Sequence, residues 1–143
     1  FGTLADFVKT PDLINCKDEL QKEGFRKGIF HTDSDSLIFV ASDAMAHYII
    51  MMYEVASEDT FRQELDEAES KCSKNSNYIK MARTLHFNDF EKDVINKLVN
   101  TIGHPANFQR HIQSLLRKGL IAYDDYSLAM FYKKQNNGTD KNV

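Results

Sequence analysis

The chain has 143 residues, of which 42% are hydrophobic and 27% charged, and its formal net charge is −3. This composition is typical of a folded domain with its own core, and it argues against intrinsic disorder. The mild negative charge gives no general attraction to nucleic acid or anionic lipid, and no apolar run approaches the roughly 20 residues of a membrane helix. We therefore expect neither nucleic acid nor a membrane as a partner.

The N-terminal sequence and the cysteines bear on the compartment. The chain begins at Phe1 without a basic segment followed by an apolar run, so no secretory signal is expected. Cys16 and Cys72 have neither metal-type spacing nor a CxxC pattern, which favours two unpaired thiols in a reducing compartment. We therefore expect a cytoplasmic protein.

The first elements in the chain are predicted to be a short helix and a hairpin. Residues 15–24 are polar, with Asn15 as a cap and Gly24 as a stop signal. The segments "FRKGIFH" (25–31) and "LIFVA" (37–41) look like strands, and the turn-forming "TDSDS" separates them. Because "LIFVA" has no polar alternation, we expect that strand to be buried on both faces.

Helices are predicted to follow directly. The first begins at Ser42 or Asp43 and continues to about Val55 with a broad apolar face. Ser57 is placed to cap a second helix over residues 58–72, whose first acidic residues suit the positive end of a helix dipole. The polar sequence "SKNSN" at 73–77 indicates a flexible loop.

Two more helices are indicated by their end signals. Asn88 and Glu91 have the spacing of a capping box, and Gly103 ends the helix that they begin. Pro105 begins the next helix, which stops at Gly119.

The last structured segment, residues 120–134, has β-favouring residues on both sides of "YDDY", and the polar tail 135–143 is expected to be disordered. The predicted fold class is thus α+β, with a hairpin, about four helices and a closing strand in one domain over residues 1–134.

Carboxylates at strand ends are the main chemical feature. The sequence contains no HExxH, GxxxxGK[ST], GxGxxG or GxSxG motif, so it carries none of the corresponding zinc, P-loop, dinucleotide or serine-hydrolase signatures. Asp43 follows a strand and precedes a helix. It can serve as a helix cap, as a hard oxygen ligand for Mg²⁺ or Mn²⁺, or as both.

A second acidic site lies at Asp124 and Asp125. Two adjacent acids inside an apolar strand pattern indicate a turn, a bulge or a bound cation, because burying them unpaired is costly. In an extended backbone the two side chains point to opposite faces. His47 lies four residues after Asp43, a spacing compatible with a metal pair, although a partly exposed helical histidine is the more common explanation.

The two acidic segments together resemble a known family. "LIFVASDAMAHYI" (37–49) resembles the strand-to-helix motif of the metal-dependent protein phosphatases of the 2C type, in which an apolar strand ends in Ser/Thr-Asp-Gly or, in bacterial members, Thr-Asp-Ala-Leu-Ala. "YDDYSLAMF" (123–131) resembles that family's closing motif, Asp-Asp/Asn-x-Thr/Ser before a hydrophobic strand. The resemblance covers roughly residues 29–52 and 112–131.

The resemblance assigns roles to individual residues. It implies that Asp43 and Asp124 are metal ligands, with Ser42, Asp125 and Ser127 occupying the accompanying motif positions. It further implies a site with two Mg²⁺ or Mn²⁺ ions, where water attacks a phosphoserine or phosphothreonine of a phosphoprotein substrate. The implied fold is a two-sheet sandwich flanked by helices.

One departure from the family pattern is large. The Glu/Asp ligand, the Asp-Gly pair and the phosphate-gripping Arg of the family have no match before Asp43. The chain therefore looks like the C-terminal half of a phosphatase domain and is expected to have little activity alone. The missing N-terminal half, or another copy, is expected to cover its open strand edges.

Two other functions are compatible with the sequence. The stretch 107–133 has the pattern of a helix followed by a two-stranded wing, and Arg110, His111, Arg117 and Lys118 add some basic surface. It could belong to a winged-helix-like nucleic-acid or interaction module, although the acidic wing tip opposes phosphate contacts. The third hypothesis is a phosphatase-like scaffold that binds partners without turnover.

Overall fold

A computed structural model describes residues 4–8, 28–29, 31–33, 36–71, 74–85 and 89–132. In these ranges the fold is α+β, with five α-helices and one two-stranded antiparallel sheet. In chain order the elements are a 3₁₀ helix Leu4–Val8, β1 Leu37–Ala41, α1 Asp43–Ala56, α2 Glu58–Ser70, α3 Lys74–Thr84, a π-helical turn Glu91–Ile95 that continues into α4 Asn96–Val99, α5 Pro105–Arg117 and β2 Leu128–Tyr132. None of the helices described is long and apolar enough to cross a bilayer. The predicted helix 15–24, both cysteines and the tail 135–143 lie outside the described residues.

Helix α1 is the centre of the core. Its buried side chains include Met45, Tyr48, Met51, Met52 and Val55, which occupy the apolar face expected from the sequence. It contacts the 3₁₀ helix, β1, α2 and α3. The predicted start and approximate end of this helix are confirmed.

Helices α2 and α3 form an adjacent pair joined by ionic contacts. The Arg83 guanidinium on α3 lies 3.1 Å from a carboxylate oxygen of Glu58 and 2.8 Å from one of Asp66, and it also contacts Glu69. The predicted loop at 73–77 is wrong, because α3 already begins at Lys74. Ser76, Ile79 and Ala82 follow at helical spacing and are all buried, so tertiary packing overrides the turn preference of the polar sequence.

The π-helical turn and α4 begin at a side-chain cap. The Lys92 N–H donates to Asp89 Oδ1 at 2.9 Å, which is the bond that an N-cap residue makes to the third residue of a helix. The predicted cap, Asn88, lies outside the described residues. Val94 and Leu98, four residues apart, are fully buried. The helix ends at Val99, a few residues before the predicted Gly103.

Helix α5 has the predicted start and stop. Pro105 occupies its first turn, and after Arg117 the chain turns at Gly119, whose φ is +67°. The Leu120 N–H donates to the Leu115 carbonyl at 3.1 Å and the Gly119 N–H to the Leu116 carbonyl at 3.0 Å. This pair of bonds is a Schellman motif, which favours glycine at the left-handed position.

The sheet differs most from the sequence prediction. Strand β1 pairs with β2, with Leu37 opposite Tyr132 and Ala41 opposite Leu128, so the predicted hairpin of β1 with residues 25–31 is wrong for the described part of the chain. Gly28, Ile29 and His31 are not in a strand.

The predicted burial of β1 on both faces is also wrong. Leu37, Ile38 and Val40 are 46%, 44% and 58% exposed, because the described sheet has only two strands and few residues pack against it.

Residues 120–127 contain no strand. Only the second half of the predicted β segment therefore forms a strand, and among the described residues the two-stranded wing expected for a winged-helix module is not formed. Leu120 and Ile121 are buried in the core instead of pairing with β2. Their hydrophobic pattern reflects burial in an irregular segment, which local sequence does not distinguish from a buried strand.

Candidate functional site

The candidate site lies where the last residue of β1 meets the first of β2. Beyond the last strand pair, Ala41 and Leu128, the Ser42 N–H donates to the Ser127 carbonyl at 3.1 Å. The Ser127 N–H donates in return to Ser42 Oγ at 3.2 Å. These bonds hold the segment before α1 beside the segment before β2. The two acidic motifs, far apart in sequence, are therefore neighbours in the fold.

Asp43 is the first residue of α1 and is exposed to solvent. Its Oδ1 accepts a hydrogen bond from the Ala44 N–H at 2.8 Å, so one oxygen helps to satisfy the open end of the helix. Ser42 occupies the N-cap position, but its hydroxyl makes no capping bond. Among the described residues, none donates a hydrogen bond to the second oxygen of Asp43.

Asp124 and Asp125 are both exposed in the irregular segment before β2. Asp124 Oδ1 accepts a hydrogen bond from the Asp125 N–H at 2.7 Å, a local arrangement typical of a turn. In the described ranges, neither residue nor Asp43 forms an ion pair with a lysine, arginine or histidine. This end of the sheet thus carries three carboxylates without a cationic neighbour among those residues.

Tyr126 links the two acidic segments electrostatically. Its hydroxyl donates to the Ala122 carbonyl at 2.9 Å. Burial raises the pKa of Tyr126 to about 12, and the negative charges of Asp124 and Asp43 contribute in the same direction. Carboxylates from both motifs therefore act on one phenol. No role for Tyr126 was predicted from the sequence, although its position between the acidic pair and the strand indicates proximity to both.

His47 packs under the N-terminal 3₁₀ helix. Its ring lies edge-on to Phe7, with 5.2 Å between ring centroids, and its Nε2 is buried without a hydrogen-bond partner in the described structure. Burial lowers the pKa of His47, which favours the neutral imidazole near neutral pH. The surroundings of this side chain are those of a partly buried histidine that packs against an aromatic ring.

The donor set of the site is incomplete for a metal ion. Within the described ranges, no three His, Cys, Asp or Glu side chains converge closely enough to hold a metal. Asp43 and Asp124 supply hard oxygen atoms of the kind that Mg²⁺ and Mn²⁺ prefer, but two carboxylates leave most of the coordination shell to water. The residues therefore supply part of a metal site, and further ligands are needed to complete its coordination shell.

Comparison of the chain with protein-family models, with curated proteins and with solved structures found no significant match. The function of the site is therefore inferred from its own residues and from their arrangement.

Proposed function

We propose that this chain is the C-terminal half of a metal-dependent serine/threonine phosphoprotein phosphatase of the 2C type. One observation supports the proposal above all others. The two segments that resemble phosphatase motifs, Ser42–Asp43 and Asp124–Ser127, meet at one end of the sheet through the hydrogen bonds between Ser42 and Ser127.

In the proposed site Asp43 and Asp124 are ligands of Mg²⁺ or Mn²⁺. Ser42 and Ser127 hold the two segments in register, and Asp125 adds negative charge beside them. Bound cations of this type lower the pKa of a coordinated water and neutralise charge on phosphoryl oxygens. The contribution of this chain is to present two carboxylate oxygens to the metal from one end of the sheet.

The same geometry predicts that the isolated chain binds metal weakly. Asp43 uses one oxygen at the start of α1, and the positive end of that helix dipole opposes a nearby cation. Additional carboxylates are needed to overcome this repulsion and to displace water from the ion. The proposed missing half supplies them, so the chain alone has little phosphatase activity.

The sheet is the proposed contact with that missing half. A two-stranded sheet is marginally stable alone, and Ile38, Val40 and Phe131 remain 44%, 58% and 60% exposed. Added strands and a second sheet would bury these side chains and complete a sandwich flanked by helices. Where the other half is absent, we expect a second copy to cover the same surface.

Metal titrations test the proposed ligands. We expect Mn²⁺ to bind the chain with a Kd of about 0.1–1 mM, since few carboxylates are available. Asp43→Asn and Asp124→Asn should each weaken binding by about tenfold or more. Asparagine keeps an oxygen for the Ala44 N–H, so the first substitution removes charge without removing the helix cap. Calorimetry measures the affinity, and paramagnetic broadening of amide signals locates the ion.

The matched control is Asp59→Asn, which changes a fully exposed acid on α2. Its Mn²⁺ affinity should equal that of the unchanged chain, and broadening should be strongest at residues 42–44 and 124–127 and decrease with distance from them. Mn²⁺ binding that survives the double substitution at Asp43 and Asp124 would exclude both as ligands. A complete domain that binds metal through both residues without hydrolysing phosphopeptides would favour the scaffold hypothesis.

Analytical ultracentrifugation tests the sheet contact. Val40→Lys places a charge on the exposed sheet and should abolish concentration-dependent association of the isolated chain. Tyr123→Lys changes a side chain that is 93% exposed outside the sheet and should leave association unchanged. An isolated chain that stays monomeric at all concentrations would contradict the expectation for a second copy.

A further inference from the structure

A pocket of about 540 Å³ is lined by residues of α1, α4 and α5. Its lining includes the apolar side chains of Met52, Leu115 and Leu120 together with the ring of Tyr48. These four residues are nearly fully buried and belong to the core. The pocket therefore has an apolar floor, and spaces between helices are a common location for small-molecule sites.

The polar side of the pocket carries an excess of positive charge. Lys97 and Lys118 both contribute to the lining, as does Asp93. Lys97 Nζ lies 3.1 Å from Asp93 Oδ1, so one ammonium group is paired within the pocket. Lys118 forms no ion pair with any residue that the structure describes. One positive charge thus remains uncompensated.

His111 lies on the same side with an unused nitrogen. Its Nε2 is buried, and no described residue is hydrogen-bonded to it. Burial lowers the pKa of His111, and the nearby charges of Lys97 and Lys118 lower it further. A buried polar atom without a partner is unfavourable, and a ligand that accepts or donates a hydrogen bond there removes the cost.

We propose that this pocket binds a monoanionic amphiphile of the medium-chain carboxylic acid class. The carboxylate lies between Lys118 and His111, and the alkyl chain covers the floor formed by Met52, Leu115 and Leu120. One negative charge matches the one uncompensated lysine. A cation is disfavoured by the two ammonium groups, and a neutral apolar molecule leaves the buried His111 nitrogen without a partner and makes no use of the positive charge of Lys118.

The pocket is independent of the proposed phosphatase site. None of Asp43, Asp124 or Tyr126 lines it. Loss of metal binding and loss of ligand binding are therefore separate outcomes, and either proposal can fail alone.

The test compares decanoate with decan-1-ol on the full chain. The two molecules have the same alkyl chain, and only decanoate carries a negative charge. Amide and imidazole NMR signals report where each binds and how tightly. We expect decanoate to shift the signals of Tyr48, His111 and Lys118, to bind about tenfold more tightly than decan-1-ol, and to raise the pKa of His111 by placing an anion beside it.

Lys118→Gln is the informative variant, because this exposed residue at the end of α5 can lose its charge without disturbing the core. It should reduce the decanoate affinity several-fold and leave the affinity for decan-1-ol unchanged. Lys92→Gln removes an exposed charge outside the pocket and should change neither. Equal affinities for the two molecules, a decanoate Kd above about 5 mM, or signal changes centred on β1 and β2 would each overturn the proposal.

Discussion

Ser42 and Ser127, 85 positions apart in the chain, are joined by two hydrogen bonds. The Ser42 N–H donates to the Ser127 carbonyl at 3.1 Å, and Ser42 Oγ accepts from the Ser127 N–H at 3.2 Å. The second bond uses a side chain, so the hydroxyl that local sequence offers as a helix cap serves the sheet instead. This pairing fixes Asp43 and Asp124 on neighbouring segments.

Removal of the Ser42 hydroxyl should loosen this junction. Ser42→Ala leaves the Ser127 N–H without its acceptor, and because the bond is near solvent we expect a loss of only about 0.5–1 kcal/mol in the free energy of unfolding. Urea unfolding measures the change. Ser42→Thr keeps the hydroxyl and should retain most of the stability. Equal losses in both variants would show that the hydroxyl bond contributes nothing.

The phenol of Tyr126 should report on the two carboxylates. The difference between alkaline absorbance titrations of the unchanged chain and Tyr126→Phe should give a pKa of about 12, above the ordinary value of 10.0. Because the neutral phenol is favoured in the folded state, this contribution to stability is lost as the pH rises from about 10 to about 12. Asp124→Asn should lower the pKa of Tyr126 most, and Asp43→Asn should lower it less.

Asp125→Asn provides the control for this titration. Asp124 and Asp43 contribute to the raised pKa of Tyr126, whereas Asp125 does not contribute comparably. Its replacement should therefore leave the tyrosine titration nearly unchanged. A shift as large as that of Asp124→Asn would mean that net charge, and not the position of each carboxylate, sets the pKa.

Glu54 should make stability depend on pH. Its carboxylate accepts the Leu4 N–H at 2.6 Å and connects the 3₁₀ helix to α1, while the residue is only 2% exposed. Burial raises the pKa of Glu54, so the folded state binds more protons than the unfolded state above the ordinary glutamate pKa. The free energy of unfolding should therefore fall as the pH rises through that range.

Glu54→Gln removes this titration and keeps an oxygen for the Leu4 N–H. We expect the variant to gain stability relative to the unchanged chain as the pH rises above the ordinary glutamate pKa, measured by urea midpoints at a series of pH values. The exposed Glu91, changed to Gln, is the control and should show no such trend. A Glu54→Gln variant that is less stable at every pH by the same amount would contradict the assignment.

Alanine substitutions at three glycines distinguish the cost of backbone strain from the cost of a new side-chain contact. Gly119 and Gly103 have φ of +67° and +75°, and alanine in this region costs about 1–2 kcal/mol. A Cβ at Gly119 would meet Met81 Cγ at an ordinary 3.5 Å, and one at Gly103 or Gly28 would meet nothing within 4 Å. Gly119→Ala and Gly103→Ala should therefore lose similar stability in thermal unfolding, whereas Gly28→Ala should not. A much larger loss at Gly119 would implicate the Met81 contact.

The helices were largely predictable because their signals are local. The apolar periodicity after Asp43 fixed α1, and Pro105 with Gly119 bounded α5, since the cap and the Schellman turn need only neighbouring residues. Helix α3 was missed because its support is not local. Other elements bury Ser76, Ile79 and Ala82, and the polar sequence "SKNSN" does not indicate that this segment packs against them.

The sheet was predicted poorly for the same physical reason. The partner of β1 lies at the other end of the described fold, and local turn residues favoured a hairpin that does not form in the described part. Asp43 and Asp124 were linked only through the family resemblance, because chain periodicity carries no information on contacts between distant segments. Tyr126 could be recognised only once both carboxylates were placed around it.

In chain order, the five α-helices of the described residues lie between β1 and β2, so the pairing of these two strands closes a long loop. Closing so long a loop costs conformational entropy that is repaid only after the enclosed helices have packed, whereas each helix forms from near neighbours. The sheet is therefore expected to be the last element to assemble and the first to separate under mild denaturant. Asp43 and Asp124 would come together in that final step. An ion bound by both would therefore stabilise only the fully folded chain, in which β1 and β2 are paired.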